Sequence, residues 1–329
     1  SGEPVTAGDI GVVGAMALLL KDAILPNIVQ TLEHTPALMH GGPFANIAHG
    51  CNSVVATKLG VKLADYCITE AGFGADLGAE KFMDIKCRVT GLRPSAVVIV
   101  ATARALKMHG GVAQDIVGQP NLEALKIGIA NMDKHLENLS QFGQTVVVAF
   151  NRYGDDVQEE IDYVRQHCAE MGIGFAVNNA FVEGGAGAVE LAELVVKTID
   201  ENPSKELEFV YGDDDNVKTK ITKVADKQYG ASLVTFSPTA KKKMAMIEEL
   251  GYSHFPICIA KTQYSFSDDP TKLGAPEGFK VTIKNVKISA GAGFIVVLTG
   301  DILTMPGLPK VPAAERIDVD ENGKITGLF

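Results

Sequence analysis

Apolar positions recur along the chain at two alternating spacings, and this alternation gives the first indication of the fold. Residues 122–142 carry apolar side chains three or four positions apart, the spacing of one face of an α-helix. These side chains are Leu125, Ile129, Met132, Leu136 and Leu139. Residues 96–100 (AVVIV) and 145–150 (TVVVAF) are continuous apolar runs, typical of strands that are covered on both faces. Because such strands alternate with helices, the pattern predicts an α/β fold with parallel strands.

The same spacings predict further elements. We expect a buried helix at residues 11–23 and other helices at 46–63, 157–171, 189–199 and 241–250. Short strands are expected at 66–69, 175–177 and 233–236, and an alternating β pattern covers 279–299. Asp155 and Asp156 stand where the N-cap of the helix at 157–171 is expected.

The composition is that of a globular protein with an acidic balance. Of 329 residues, 46% are hydrophobic and 21% are charged, and the net charge is −10. This charge argues against non-specific binding to nucleic acid, because phosphates would be repelled. The five scattered cysteines lack CxxC spacing and fit a reducing, cytoplasmic compartment better than disulfides or a zinc site. The apolar stretch at 12–20 is too short to span a bilayer, so we expect no membrane association.

Three blocks combine glycines with polar residues in a way that is unusual for a core helix or strand. The first is residues 31–53 (TLEHTPALMHGGPFANIAHGCNS). Its paired glycines allow a close backbone approach to a ligand, and a helix opening at Asn46 would direct N–H groups at a phosphate or carboxylate. His40, His49 and Asn52 could supply neutral donors. The alternative for this block is a capped glycine turn with internally satisfied histidines.

The other two blocks follow predicted strands. Residues 69–88 contain GFGAD at 72–76, a weak nucleotide signal. Its glycines miss the GxGxxG spacing, which counts against a Rossmann-type dehydrogenase. Residues 100–111 (VATARALKMHGG) begin at the end of a strand, where open α/β sheets bind ligands. Arg104 and Lys107 in this block are helix-surface charges by default.

Together these blocks resemble the formate–tetrahydrofolate ligase (10-formyltetrahydrofolate synthetase) family. The resemblance extends from Glu3 to Phe329 but covers only about the C-terminal three-fifths of the family. The family's P-loop segment lies upstream of this part, and the chain itself contains no G-x-x-x-x-G-K-[ST] run. The chain begins Ser-Gly-Glu-Pro-Val without an initiating Met. We therefore expect it to be a piece of a longer polypeptide.

The resemblance implies three groups of site residues. The formyl-phosphate group is His40, Gly42, Asn46 and His49. The nucleotide group is Gly72, Phe73, Gly74 and Ala75, together with Ala275 and Pro276 of the turn at 273–279 (LGAPEGF). The folate group is Tyr153, Val177 and Phe181, in which Tyr153 and Phe181 replace the family's Phe and Trp that stack on the pterin. Arg104 and Lys107 belong to a supporting loop, and the resemblance does not decide whether they touch a ligand.

The resemblance also implies a fold, a reaction and partners. The fold would be part of a P-loop-NTPase-like or Rossmann-like large domain at 1–132, with smaller α/β domains at 133–231 and 232–329. The reaction would join formate to tetrahydrofolate with ATP and Mg²⁺, through formyl phosphate, and could use K⁺ or NH₄⁺. The expected partners are the N-terminal P-loop half and further copies of the enzyme. The alternatives are a non-catalytic piece that binds folate and adenine, or a Rossmann-type dehydrogenase.

Overall fold

The computed structural model of the chain describes residues 4–42, 45–50, 52–300, 302, 311–321 and 323–327. The strands are β1 (Asn27–Gln30), β2 (Pro36–Met39), β3 (Val97–Ala101), β4 (Val146–Asn151), β5 (Gly174–Asn178), β6 (Leu233–Phe236), β7 (Ile257–Ala260), β8 (Lys280–Ser289), β9 (Phe294–Thr299), β10 (Asp318–Val319) and β11 (Ile325–Thr326). The α-helices are α1 (Val13–Leu20), α2 (Val54–Leu63), α3 (Arg88–Thr90), α4 (Ala103–His109), α5 (Leu122–Gln141), α6 (Gln158–Glu170), α7 (Ala180–Glu183), α8 (Val189–Glu201), α9 (Val217–Val224) and α10 (Pro238–Glu249). Shorter helical turns lie at Ala45–Ile47, Ala75–Ala79, Phe82–Cys87, Gly184–Ala188, Ala225–Tyr229, Ala290–Ala292 and Ala313–Glu315.

The first sheet confirms the predicted α/β class. Its strand order is β3-β4-β5, and both pairings are parallel. β4 is buried along residues 146–150, in agreement with its continuous apolar sequence. The expectation that the strand at 96–100 is covered on both faces is wrong, because Val98 and Val100 of β3 are exposed. The face of β3 that carries these two side chains is therefore open to solvent.

Helix α5 forms as the apolar spacing predicts. Its five predicted core side chains are all buried. The helix begins after Asn121, whose side chain accepts a hydrogen bond from the Ala124 N–H. It packs closely on α4, because a Cβ on Gly128 would overlap the Leu106 carbonyl and a Cβ on Gly110 would overlap the Ala124 carbonyl. Glycine at both positions therefore sets the distance between the two helices.

The second sheet combines parallel and antiparallel pairs in the order β6-β8-β9-β7. Its core includes side chains from α9 and α10 as well as from the strands. The helix α10 starts at Pro238, because the Ser237 side chain accepts from the Ala240 N–H and because the first helical turn tolerates proline.

Residues 75–90 form a helical run that contacts both cores. Ala75 and Ala79 pack on the core of the first sheet, whereas Phe82 and Met83 belong to the core of the second sheet.

Residues 4–42 lie mostly at the surface. β1 and β2 form an antiparallel hairpin that the sequence did not predict. The predicted helix at 11–23 is present as the shorter α1, but the expectation that it is buried is wrong: none of its residues is buried. Leu18 and Leu19 are among its most exposed side chains. This part of the chain therefore presents an apolar surface to solvent.

Three further predictions are corrected. The helix expected at 46–63 begins only at α2, because Ser53 provides its N-cap by accepting from the Ala56 N–H. Residues 66–69 pair with no strand among the described residues, so the apolar run alone could not make one. The cap of α6 is not an aspartate: Val157 holds the N-cap position, and Asp156 instead accepts from the Tyr153 N–H.

The predicted domain boundary at 132 falls inside α5, and the strands β3 and β4 on either side of it share one sheet. The boundaries near 132 and 231 stay predictions. Within the described ranges, no helix has the length and apolar character needed to cross a bilayer.

Candidate functional site

The carboxyl ends of three parallel strands meet at one edge of the first sheet, where α/β proteins commonly bind ligands. Thr102 follows β3 and caps α4 by accepting from the Ala105 N–H. Tyr153 stands two residues after β4, and Phe181 stands three residues after β5. The parallel register therefore brings the third block and the two aromatic residues to the same edge.

The two cations of the third block have different surroundings. The Arg104 guanidinium donates to both carboxylate oxygens of Asp155 at 2.8 Å, and it lies 4.1 Å from the centre of the Tyr153 ring. Lys107 is fully buried, with its ammonium 3.1 Å from Glu160 and 2.9 Å from the Gln119 carbonyl. Arg104 thus braces the Tyr153 loop from a partly exposed position, whereas Lys107 is an internal brace.

The two predicted folate-stacking rings are both open to solvent. Tyr153 is 44% exposed and Phe181 is 98% exposed. The strand ends that precede them are tied together, because the amide of Asn178 at the end of β5 donates to the side-chain oxygen of Asn151 at the end of β4 at 2.8 Å. Val177 lies inside strand β5, not in a loop, and its side chain packs against the core of the first sheet.

The glycine-rich segment after Phe181 is also held from the first block. The Glu33 carboxylate accepts from the Gly185 N–H at 2.7 Å. This contact joins residues 31–35 to the loop that carries Phe181.

The histidines of the first block are engaged with protein groups. His40 contacts the Ser53 hydroxyl through Nδ1 at 2.6 Å and the Ala23 carbonyl through Nε2 at 2.8 Å. Nε2 must therefore carry the hydrogen that is donated to the carbonyl, because a carbonyl oxygen can only accept. His49 contacts the Ile47 carbonyl through Nδ1 at 3.1 Å, and burial lowers its pKa. A neutral imidazole is therefore favoured at His49.

A buried lysine that the sequence did not single out fixes this block. The Lys86 ammonium donates to the carbonyls of Gly50 and Asn52, both at 3.0 Å, and to the Thr57 hydroxyl at 2.9 Å. Gly42 lies nearby at the surface with a φ of +50°, a conformation suited to glycine. Asn46 is buried in the turn Ala45–Ile47. Pro43, Phe44 and Cys51 of the block lie outside the described residues.

The second block forms a tight turn whose aromatic ring points outward. Phe73 is half exposed and has a φ of +62°, a region that bulky side chains rarely occupy. A Cβ on Gly78 would overlap the Gly72 carbonyl, and a Cβ on Gly74 would lie 2.5 Å from the Asp76 carboxylate and 2.8 Å from the His135 ring. The surrounding residues thus hold a strained backbone at Phe73, and such strain commonly accompanies a functional site.

Asp76 ends this turn in a buried ion pair. Its Oδ2 lies 2.6 Å from the ammonium of Lys261, which directly follows β7 and is fully buried. Burial works to raise the pKa of Asp76, but Lys261 and His135 outweigh it and hold the pKa below its ordinary value. Burial lowers the pKa of Lys261, against the opposing charge of Asp76.

The turn at 273–278 packs against the same region. The Gly274 N–H donates to His109 Nδ1 at 3.2 Å, and the Gly274 carbonyl accepts from the Asn131 amide at 2.9 Å. Ala275 and Pro276 follow directly. Burial, with His135 nearby, lowers the pKa of His109 to about 4. His109 is therefore neutral, as an acceptor of the Gly274 N–H must be.

A small polar cavity of about 20 Å³ lies beside Asp76 of the 72–76 turn and beside His109 and Asn131, the two residues that contact Gly274. Its lining residues are Asp76, His109, Asn131, His135, Gln263, Ser265 and Phe266. A cavity of this size holds on the order of one water molecule. The 72–76 turn thus contributes Asp76 to this polar centre, and the 273–278 turn is hydrogen-bonded through Gly274 to two of its lining residues.

Two buried acidic residues, Glu80 and Asp84, lie further along the helical run at 75–90. Asp84 accepts from Arg88 at 2.9 Å and from the Val210 N–H at 3.1 Å, both through Oδ1. Burial and the neighbouring Asp84 raise the pKa of Glu80 well above its ordinary value. Glu80 therefore retains its proton, and burial also raises the pKa of Asp84 to about 7 against the opposing effect of Arg88. In the described ranges, no group of three or more His, Cys, Asp or Glu side chains could hold a metal ion.

Sequence reasoning missed three important side chains, namely Lys86, His135 and Lys261. Only Lys261 carried a readable signal, a charge immediately after the buried apolar run at 257–260. Lys86 and His135 stand in helices among other charges, and their burial depends on packing between distant segments.

Comparison with known proteins covers the whole chain. The family profile described as Formate--tetrahydrofolate ligase matches residues 1–329. A relative of that name from Phocaeicola vulgatus is 64% identical over 326 residues, covering 99% of this chain and 59% of its own length. Relatives of the same name from two strains of Bacteroides fragilis are 58% identical with the same coverage. The chain therefore spans somewhat more than half the length of the curated relatives that it matches.

Proposed function

Because the chain belongs to the formate–tetrahydrofolate ligase family, we propose that it forms the part of such an enzyme that faces adenine, formyl phosphate and folate. A formate oxygen attacks the γ-phosphorus of ATP, and the bond to ADP breaks, which gives formyl phosphate. The N10 amine of tetrahydrofolate then attacks the formyl carbon. Phosphate leaves and the amine loses a proton, so that the product is 10-formyltetrahydrofolate.

The observation that carries the proposal is the convergence of the 72–76 and 273–278 turns on one polar centre. We assign Gly72, Phe73, Gly74 and Ala75 to one side of the adenine nucleotide. We assign Ala275 and Pro276 to the other side. The strained backbone and half-exposed ring of Phe73 support this assignment.

For the formyl-phosphate site we propose His40, Gly42, Asn46 and His49. With helix α2 beginning only at Val54, the block offers exposed glycine backbone at Gly42 rather than a helix end. His40 and His49 contribute through the hydrogen bonds by which their rings order the turn. Lys86 holds the turn in place from the buried side.

For folate we propose stacking between Tyr153 and Phe181, with Val177 beneath them. Flat heteroaromatic rings bind well between two aromatic side chains, because stacking adds to the burial of apolar area. The 98% exposure of Phe181 supports a role in binding rather than in the core. Arg104 covers one face of Tyr153 and so orients the ring.

The remaining parts of the activity require the rest of the enzyme. We propose that a P-loop segment, covalently continuous or on a separate chain, grips the phosphates and covers the apolar surface of α1 and β3. Mg²⁺ bound with ATP would neutralise phosphate charge. We assign no residue of this chain to Mg²⁺, to K⁺ or NH₄⁺, or to contacts between copies. The large domain would then have the P-loop-NTPase-like or Rossmann-like architecture of the family.

A pair of variants tests the assignment of the two ligands. Gly74→Val places bulk against Asp76 and His135, so we expect it to abolish ADP binding and to leave tetrahydrofolate binding intact. Phe181→Ala should do the reverse, with a loss of roughly 1–3 kcal/mol in folate binding. Val182→Ala, at the exposed neighbouring position, is the matched control.

Calorimetric titration of each variant with each ligand provides the measurement. Retained binding of one ligand also shows that the variant is folded. If each variant weakens both ligands equally, the two sites are not separate, and our assignment is wrong.

A further inference from the structure

The ammonium of Lys261 makes three contacts inside the protein, which matches its three hydrogens. It lies 2.6 Å from Asp76 Oδ2 and 3.1 Å from the Thr262 carbonyl, and it also donates to the Ser265 carbonyl. The ammonium also lies over the Tyr229 ring, 5.1 Å from its centre. The group is therefore fixed from every side.

Its partners belong to the 72–76 turn and to the segment at 262–265, and two of them, Asp76 and Ser265, line the polar centre. Asp76 closes the 72–76 turn. The Ser265 hydroxyl donates to the Lys272 carbonyl, immediately before the turn at 273–278. One ammonium thus connects the turn on one side of the proposed nucleotide to the segment that leads into the turn on the other side.

Stability alone is a weak explanation for this arrangement. Removing two charges from water costs free energy, and well-packed apolar residues often replace a buried ion pair without loss. A lysine can also be buried in this fold by bonding to backbone carbonyls. Lys220 is fully buried and donates to the carbonyls of Ser253 and Phe255. Lys261 instead pairs with a carboxylate that lies within the candidate site.

We propose that Asp76 and Lys261 are positioning residues, which hold the 72–76 turn and the 262–278 segment at the separation that an adenine nucleotide requires. The inference rests on the proposed nucleotide site and deepens it. Neither residue needs to touch the ligand. The pair acts by preventing the two turns from moving apart before the nucleotide binds.

The test compares Lys261→Met, Asp76→Asn and the double variant with Lys220→Met as the matched buried-lysine control. For each we measure ADP affinity by calorimetry, and amide hydrogen exchange at 72–76 and 273–278. Lys261→Met should weaken ADP binding by roughly tenfold or more, because it leaves a buried carboxylate unpaired, and should speed exchange in both turns. The double variant should regain part of the affinity, since neither charge is then left alone.

Lys220→Met should lower stability without either effect on the two turns. ADP affinity in Lys261→Met equal to that of Lys220→Met, or faster exchange in only one turn, would overturn the inference. Additive losses in the double variant would overturn it as well. Failure of the unmodified chain to bind ADP would contradict the proposed nucleotide site itself, which is a distinguishable result.

Discussion

Among single residues, His109 has a protonation state that its hydrogen bond dictates. Its Nδ1 accepts from the Gly274 N–H, so a proton at this atom would break the contact. Burial lowers its pKa from 6.5 to about 4. Between these two values the unfolded chain binds a proton that the folded chain does not. The stability contributed by this residue is therefore lost as the pH falls from about 6.5 to about 4.

Replacing His109 with Gln removes this titration. The full difference in pKa corresponds to roughly 3 kcal/mol, and partial solvent access reduces the expected value to about 2 kcal/mol. We expect the unmodified chain to lose about that much stability relative to the variant between pH 7 and pH 4. Urea unfolding across this range provides the measurement. Parallel stability curves for the two proteins would show that His109 is not buried in its neutral form.

At the scale of elements, local pattern succeeded where the interactions are local. Helix α5 and strand β4 follow directly from apolar spacing, and both are covered by neighbours in the described fold. The start of α2 was misjudged because Ser53, not Asn46, supplies the cap. The run at 66–69 has the composition of a strand, but strands require a partner that local sequence cannot reveal. For the same reason the hairpin β1–β2 was missed.

The packing of α4 on α5 gives a prediction at this scale. Gly128→Ala adds a Cβ that overlaps the Leu106 carbonyl, and the backbone must move to accommodate it. We expect a loss of about 2–3 kcal/mol in the free energy of unfolding. Gly14→Ala in the exposed helix α1 is the control, because its Cβ would contact nothing within 4 Å. That substitution should instead gain about 0.5–1 kcal/mol from helix propensity. Equal effects would mean that the α4–α5 distance is not set by glycine.

The candidate site shows the limit of sequence reasoning at the residue and element scales together. The resemblance supplied the residues that we assign to the three ligands. It did not supply the buried lysines, Lys86 and Lys261, that hold those residues in place. The contacts of Lys86 with residues 50–57 and of Lys261 with Asp76 join positions far apart in sequence. Such contacts follow from the packing of the helical run at 75–90 against segments from distant parts of the chain. No local spacing encodes them.

At the scale of the whole molecule, the exposed apolar surface of α1 and β3 indicates a contact with another part of a protein. The helix α1 has the sequence VGAMALLL and no buried residue, and β3 exposes Val98 and Val100. The curated relatives extend well beyond the part that this chain matches. Apolar surfaces of this kind usually mark contacts with another part of a protein. We therefore expect the chain to act together with the P-loop segment of its family.

The most direct test of this account is formate-dependent ADP release, measured with the purified chain and with the N-terminal segment of the Phocaeicola vulgatus relative as a separate polypeptide. With ATP, Mg²⁺, formate and tetrahydrofolate, neither polypeptide alone should release ADP above background. The reason is that the proposed phosphate-binding P-loop and the proposed folate site lie on different polypeptides. The mixture should release ADP and form 10-formyltetrahydrofolate in equal amounts. Formate-dependent turnover by the chain alone, or no turnover by a mixture in which the two polypeptides associate, would contradict the account.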